Sequence, residues 1–194
     1  MARLRTGKSK VKTKNKLLEQ YWEDFGHWHI KMDFLTREIT KLKKGNNLTS
    51  LISGFLLETQ YIEFHLQGLI TELELVHDTE PKLVKFSGKK KKKEVFEMTL
   101  GELKDEVKKY KADFLVELIS NLTDLNKLRR EFAHHLFSYA TGIDDLLDSA
   151  KKGVVANDKV LTSIALSFKF IEKESWFGKM LARKKVSSGK TLDD

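Results

Sequence analysis

The chain has 194 residues, 40% of them hydrophobic, with 36 Lys+Arg against 28 Asp+Glu (net +8), one proline and no cysteine. A chain of that length buries roughly 70% of its unfolded surface in one core, which excludes wholesale disorder. The lack of cysteine excludes a disulfide framework, a thiolate metal site and a cysteine nucleophile.

Residues 1–16 hold Arg3, Arg5, Lys8, Lys10, Lys12, Lys14 and Lys16 with no acid, and Lys89, Lys90, Lys91, Lys92 and Lys93 form an unbroken run. Without these two blocks the chain is net −4, so the basicity belongs to a tail and a loop. Blocks of this kind stay solvated, either as solubilising segments or as arms that contact phosphate without reading sequence. The tail's Arg3, Arg5, Lys8, Lys10 and Lys12 and the run Lys89–Lys93 are the candidate nucleic-acid contacts. The division this suggests is a basic tail at 1–16, one helical domain over 17–183 and a polar tail at 184–194.

A 3.6-residue apolar period predicts a first helix over about Asn15–Lys44, through Leu18, Trp22, Phe25, Trp28, Leu35, Ile39 and Leu42, with Gly26 as a kink and Gly45-Asn46-Asn47 as the stop. A second helix opens near Asn47 and carries Leu51, Phe55, Ile62, Leu66, Leu69 and Leu73 to about His77, and Pro81 bars its continuation. Residues 82–97 read either as a short hairpin with a basic tip or as a loop. Thr99 with Glu102 three residues on is a capping box, which predicts a third helix to about Tyr110. A fourth runs over about Ala112–Tyr139, a short one over Ile143–Lys152 stops at Gly153, and a last begins at Asn157 or Asp158 and runs to about Ala182. The expected fold is all-α, a bundle of four to six helices built around long antiparallel ones.

The longest stretch without Asp, Glu, Lys or Arg is the thirteen residues Gly45–Leu57, short of the roughly 18 apolar residues of a membrane span. No apolar run follows the basic N-terminus as a secretory signal requires. These readings predict a cytoplasmic protein with no membrane partner. Ser188-Gly189-Lys190-Thr191 ends like a phosphate-binding loop, but Lys184 stands where that motif needs glycine and no helix follows. His27 and His29 point about 200° apart on a helix and cannot share a metal. No metal site and no cofactor are expected.

The signal lies in the fourth helix, Leu125-Asn126-Lys127-Leu128-Arg129-Arg130-Glu131-Phe132-Ala133-His134-His135-Leu136-Phe137. On a helical wheel Leu118, Leu122, Leu125, Phe132 and Leu136 form one apolar stripe, and Arg129 falls inside it. A guanidinium there must snorkel, pair with a carboxylate, or face a partner surface or ligand, because burying it unpaired costs several kcal/mol. His134 lies about 140° from Arg129 on the same wheel, and Arg130 lies one turn below His134.

This run resembles the Arg-x4-6-His signature of the HEPN superfamily, and Met98-Thr99-Leu100-Gly101-Glu102-Leu103 resembles a stretch that precedes that helix in several HEPN families. The similarity covers about Phe96–Ser138. The resemblance implies a small helical protein of toxin–antitoxin, defence or RNA-processing systems and, in many members, a metal-independent endoribonuclease whose two motifs meet in a homodimer cleft. It implies that Arg129 contacts the scissile phosphate and that His134 transfers a proton or holds the ribose 2′-hydroxyl, with Arg130 and His135 as accessory residues. The chain departs from the family in carrying Arg130 after the first arginine and Leu136 where one branch, paired with a nucleotidyltransferase antitoxin, has tyrosine. Arg130/His135 is an alternative register, and Ala133 before His134 favours Arg129/His134. The expected function is RNA cleavage by a homodimer, with RNA and an antitoxin or other protein as partners. The alternatives are a non-catalytic HEPN-like RNA-binding or regulatory protein, and a plain nucleic-acid binder that works through its tail.

Overall fold

The computed structural model describes residues 32–45, 47–89, 94–136, 138, 142–176 and 178–179. The expected basic tail, the first helix before residue 32, Gly26, His27 and His29, Lys90–Lys93, Tyr139 and the tail at 184–194 lie outside the described residues.

The described chain is an all-α bundle. Helix α1 covers residues 32–44, α2 Leu48–Thr79, α3 Leu100–Val107, α4 Val116–Leu136 and α5 Ile143–Glu174. Asn47 caps α2, its side chain accepting the Ser50 N–H at 2.8 Å, which satisfies one of the orphan donors of the first turn. At α3 the Glu102 carboxylate accepts the Thr99 backbone N–H at 2.9 Å, as the capping box requires.

Three long helices carry the core. Asn121 of α4 meets Ser163 of α5, and His135 meets Ser149, so α4 runs antiparallel to α5. Asn157 of α5 donates to the Phe55 carbonyl of α2 at 3.1 Å, and the Trp176 N–H donates to Glu80 at the far end, so α2 and α5 run the same way. Phe55, Leu66, Leu69, Leu73, Leu118, Leu122, Leu125, Phe132, Val160 and Ile164 are all buried between them. Lys43 clamps α1 onto both neighbours, donating to Glu58 of α2 at 2.7 Å and to Asp158 of α5 at 2.6 Å. Burial pushes the Glu58 carboxyl above the usual range and Lys43 offsets part of that. For Lys43 itself burial works against the charge, yet the hydrogen bonds to Asp158 and Glu58 outweigh it and hold its pKa above the ordinary value.

One expectation is corrected. Residues 143–174 form one helix, where the sequence suggests a stop at Gly153. This glycine is a point of close approach: a Cβ placed on it would lie 2.6 Å from two ring carbons of Phe55, so the absence of a side chain lets α5 sit against α2. Of the two readings of residues 82–97, the hairpin is not the one found among the described residues. Lys85–Phe86 (β1) pairs antiparallel with Tyr110–Lys111 (β2), beyond α3, while Val95–Glu97 is a single 3₁₀ turn. After α2 the chain therefore turns back to the middle of that helix, where α3 starts, and α3 returns it to the end of the bundle from which α4 descends.

Candidate functional site

Helix α4 presents the motif along its length. Leu118, Leu122, Leu125 and Phe132 are buried as its stripe requires, while Leu136 at the last turn is partly exposed. Arg129 lies in that stripe and its charge is met within the chain. Its Nη1 donates to Glu63 Oε1 of α2 at 2.9 Å, and the same oxygen accepts the Leu100 N–H, the first of α3, at 3.0 Å. One carboxylate thus joins α2, the start of α3 and α4. Of the three outcomes open to a guanidinium in an apolar stripe, the pairing with a carboxylate is the one found. The stripe therefore supplies no argument for a second subunit.

The Arg129 side chain is 38% exposed, so it is anchored without being sealed. A guanidinium has five N–H donors in a fixed fork, and Glu63 engages one nitrogen. No other hydrogen bond from the guanidinium to the described residues is found, and the bond to Glu63 restrains the side chain.

The other motif residues stand apart from this pair. Arg130, His134 and His135 are exposed. His135 Nδ1 lies 3.5 Å from Ser149 Oγ of α5, whereas no hydrogen bond or ion pair from the described residues reaches His134. Five residues separate Arg129 from His134, which is about 7.5 Å of rise and 140° of rotation. Within one chain the two groups point to different sides of α4.

The sequence reading missed Glu63. A usable signal is present in its spacing: Leu66 and Ile70, three and seven residues on, are buried, so Glu63 borders the apolar face of α2 as Arg129 does that of α4. Two more histidines are structural. His65 packs edge-on against Tyr61 with ring centroids 4.4 Å apart, and burial pushes its pKa down to about 4. His77 Nδ1 sits 3.0 Å from the Val84 carbonyl.

Among the described residues no group of three or more His, Asp or Glu side chains is placed to hold a metal, and no helix is long and apolar enough to cross a membrane. No family model, no curated protein and no solved structure matches the chain.

Proposed function

We propose that the protein is a HEPN-like RNA-binding protein and cleaves RNA without a metal through Arg129 and His134, the two groups meeting across a homodimer. The observation that carries the proposal is the anchored and partly exposed guanidinium of Arg129 on the motif helix. A fixed cation of this kind suits a phosphate that gains negative charge in the transition state. In that step the 2′-hydroxyl oxygen attacks the adjacent phosphorus while His134, as the neutral imidazole, takes its proton. The bond from phosphorus to the 5′ oxygen breaks, and the leaving oxygen is protonated by solvent or an imidazolium. Histidine suits the transfer because it titrates near neutrality. A second chain answers the divergence of the two groups around α4, since each site then takes its arginine from one copy and its histidine from the other.

One observation favours the non-catalytic alternative. Glu63 neutralises the Arg129 charge and also caps α3, which is how a purely structural ion pair would be built. Complementation separates the two readings. Arg129→Ala and His134→Ala chains, each inactive alone, should regain about a quarter of wild-type cleavage after mixing and subunit exchange, because half the dimers then carry one intact composite site. Wild-type cleavage without any recovery on mixing removes the composite site. Absence of wild-type cleavage leaves the binding protein.

A further inference from the structure

The β1–β2 pair brings together two lysine segments that lie far apart in sequence. Pro81 to Lys89 holds Lys82, Lys85 and Lys89 and no acid, and Lys108-Lys109-Tyr110-Lys111 adds three more lysines. Lys85 and Lys111 are direct cross-strand partners. Like charges placed opposite each other destabilise a ladder, and here the neighbouring cross-strand pair Phe86–Tyr110, with ring centroids 5.0 Å apart, and the bonds of Ser87 to the Lys109 carbonyl offset that cost. Lys109 closes the corner: its carbonyl accepts the Ser87 N–H at 2.7 Å, and its ammonium donates to the Lys89 carbonyl at 3.0 Å and to Glu106 at 2.7 Å. Lys109 is therefore neutralised locally, whereas Lys82, Lys85, Lys89 and Lys111 are exposed and no carboxylate among the described residues pairs with them.

The corner sits at the end of α2, where Phe86 packs against His77 with ring centroids 5.9 Å apart. Glu63, which holds Arg129, is fourteen residues back along that helix, or about 20 Å at 1.5 Å per residue. A stacked nucleic-acid strand advances about 3.4 Å per phosphate, so roughly six nucleotides cover that span.

We infer that Lys82, Lys85, Lys89 and Lys111 form a second RNA contact, a sequence-independent grip on the phosphate backbone about 20 Å along α2 from Arg129. The inference rests on the reading of this chain as an RNA-binding protein and is independent of cleavage. The chemistry is electrostatic: compact ammonium groups suit phosphates as point charges, and among the described residues none of the exposed large apolar side chains belongs to these two segments. An anionic bilayer would therefore find charge but nothing to insert.

The test uses the full chain and a fluorescent 20-nucleotide single-stranded RNA, 2′-O-methylated throughout so that it cannot be cleaved, with binding followed by anisotropy at several salt concentrations. Replacing Lys82, Lys85, Lys89 and Lys111 together by Gln should weaken binding about tenfold or more and reduce the salt slope by up to about three, as expected when four counterion-releasing contacts are lost. The corresponding Arg variant should bind like wild type. Both variants should keep the wild-type melting temperature, since all four side chains are exposed. A control with Lys152, Lys159, Lys169 and Lys173 of α5 changed to Gln removes the same charge elsewhere and should bind within about twofold of wild type. Equal binding by the corner variant and the control overturns the inference, as does equal weakening of both. So does a corner variant that keeps RNA binding but no longer binds vesicles rich in phosphatidylserine. A wild-type chain that binds no RNA overturns the RNA reading itself, whereas a wild type that binds or cleaves with an indifferent corner variant overturns this site alone.

Discussion

Arg129→Ala and His134→Ala should each lower the rate of RNA cleavage in EDTA by 10²–10⁴, the usual cost of losing a fixed transition-state cation or a positioned proton carrier. Both variants should stay folded, but for different reasons. His134 is exposed and makes no hydrogen bond or ion pair with the described residues. Arg129→Ala instead leaves Glu63, itself partly exposed, with the Leu100 N–H as its remaining partner among the described residues, so that water can replace the lost guanidinium. His135→Ala should retain most activity, because the register with Ala133 before the histidine assigns the role to His134 and the His135 ring faces Ser149 of α5 at 3.5 Å. Arg130→Ala should show an intermediate defect, since it lies one turn below His134 and can hold a phosphate without being the principal cation. Circular dichroism alongside a gel-based cleavage assay reads both quantities. Loss of activity in His135→Ala alone moves the register to Arg130 and His135.

The largest effect on stability should come from the contact between Phe55 and Gly153. Phe55 is fully buried, its ring edge-on to Phe132 with centroids 5.2 Å apart, and Phe55→Ala should cost about 3–5 kcal/mol, or a melting temperature lower by about 6–20 °C for a chain of this size. Gly153→Ala puts a methyl group within 2.6–2.8 Å of three ring carbons. Helix propensity favours alanine by at most about 1 kcal/mol, while overpacking a close-fitted core costs about 1–3 kcal/mol, so the net change should be destabilising. The pair should also be non-additive: in a Phe55→Leu background the smaller side chain vacates ring positions, and Gly153→Ala should cost less there than in wild type. Thermal unfolding of the four proteins completes the cycle. A stabilising Gly153→Ala would show that α5 can move off α2 at little cost.

This contact also shows where the sequence was legible. Apolar periods and capping residues are local signals, and Asn47, Thr99 and Glu102 mark helix starts that the structure bears out. Gly153 reads as a stop because a glycine inside a helix looks the same in sequence whether it ends the helix or admits a neighbour's ring. Similarly, Tyr110 reads as the end of a helix, because a two-residue strand has no period and the partners of Tyr110 and Lys111 lie 24 and 26 residues earlier in the chain. Arg129 was recognisable as anomalous from its place in the stripe, and pairing with a carboxylate was one of the outcomes its chemistry allowed. Which carboxylate was not legible, since Glu63 stands 66 positions away and reaches Arg129 only once α2 and α4 are packed.

The central claim, a 2′-hydroxyl attack that needs no metal, is tested most directly by mass spectrometry of the termini left on a defined single-stranded RNA after incubation with the full chain in EDTA. The mechanism predicts 2′,3′-cyclic phosphate and 5′-hydroxyl ends, formed by wild type, absent with His134→Ala, and absent at a scissile ribose carrying a 2′-O-methyl group. Ends bearing a 3′-hydroxyl and a 5′-phosphate, or intact RNA at every protein concentration, would contradict it.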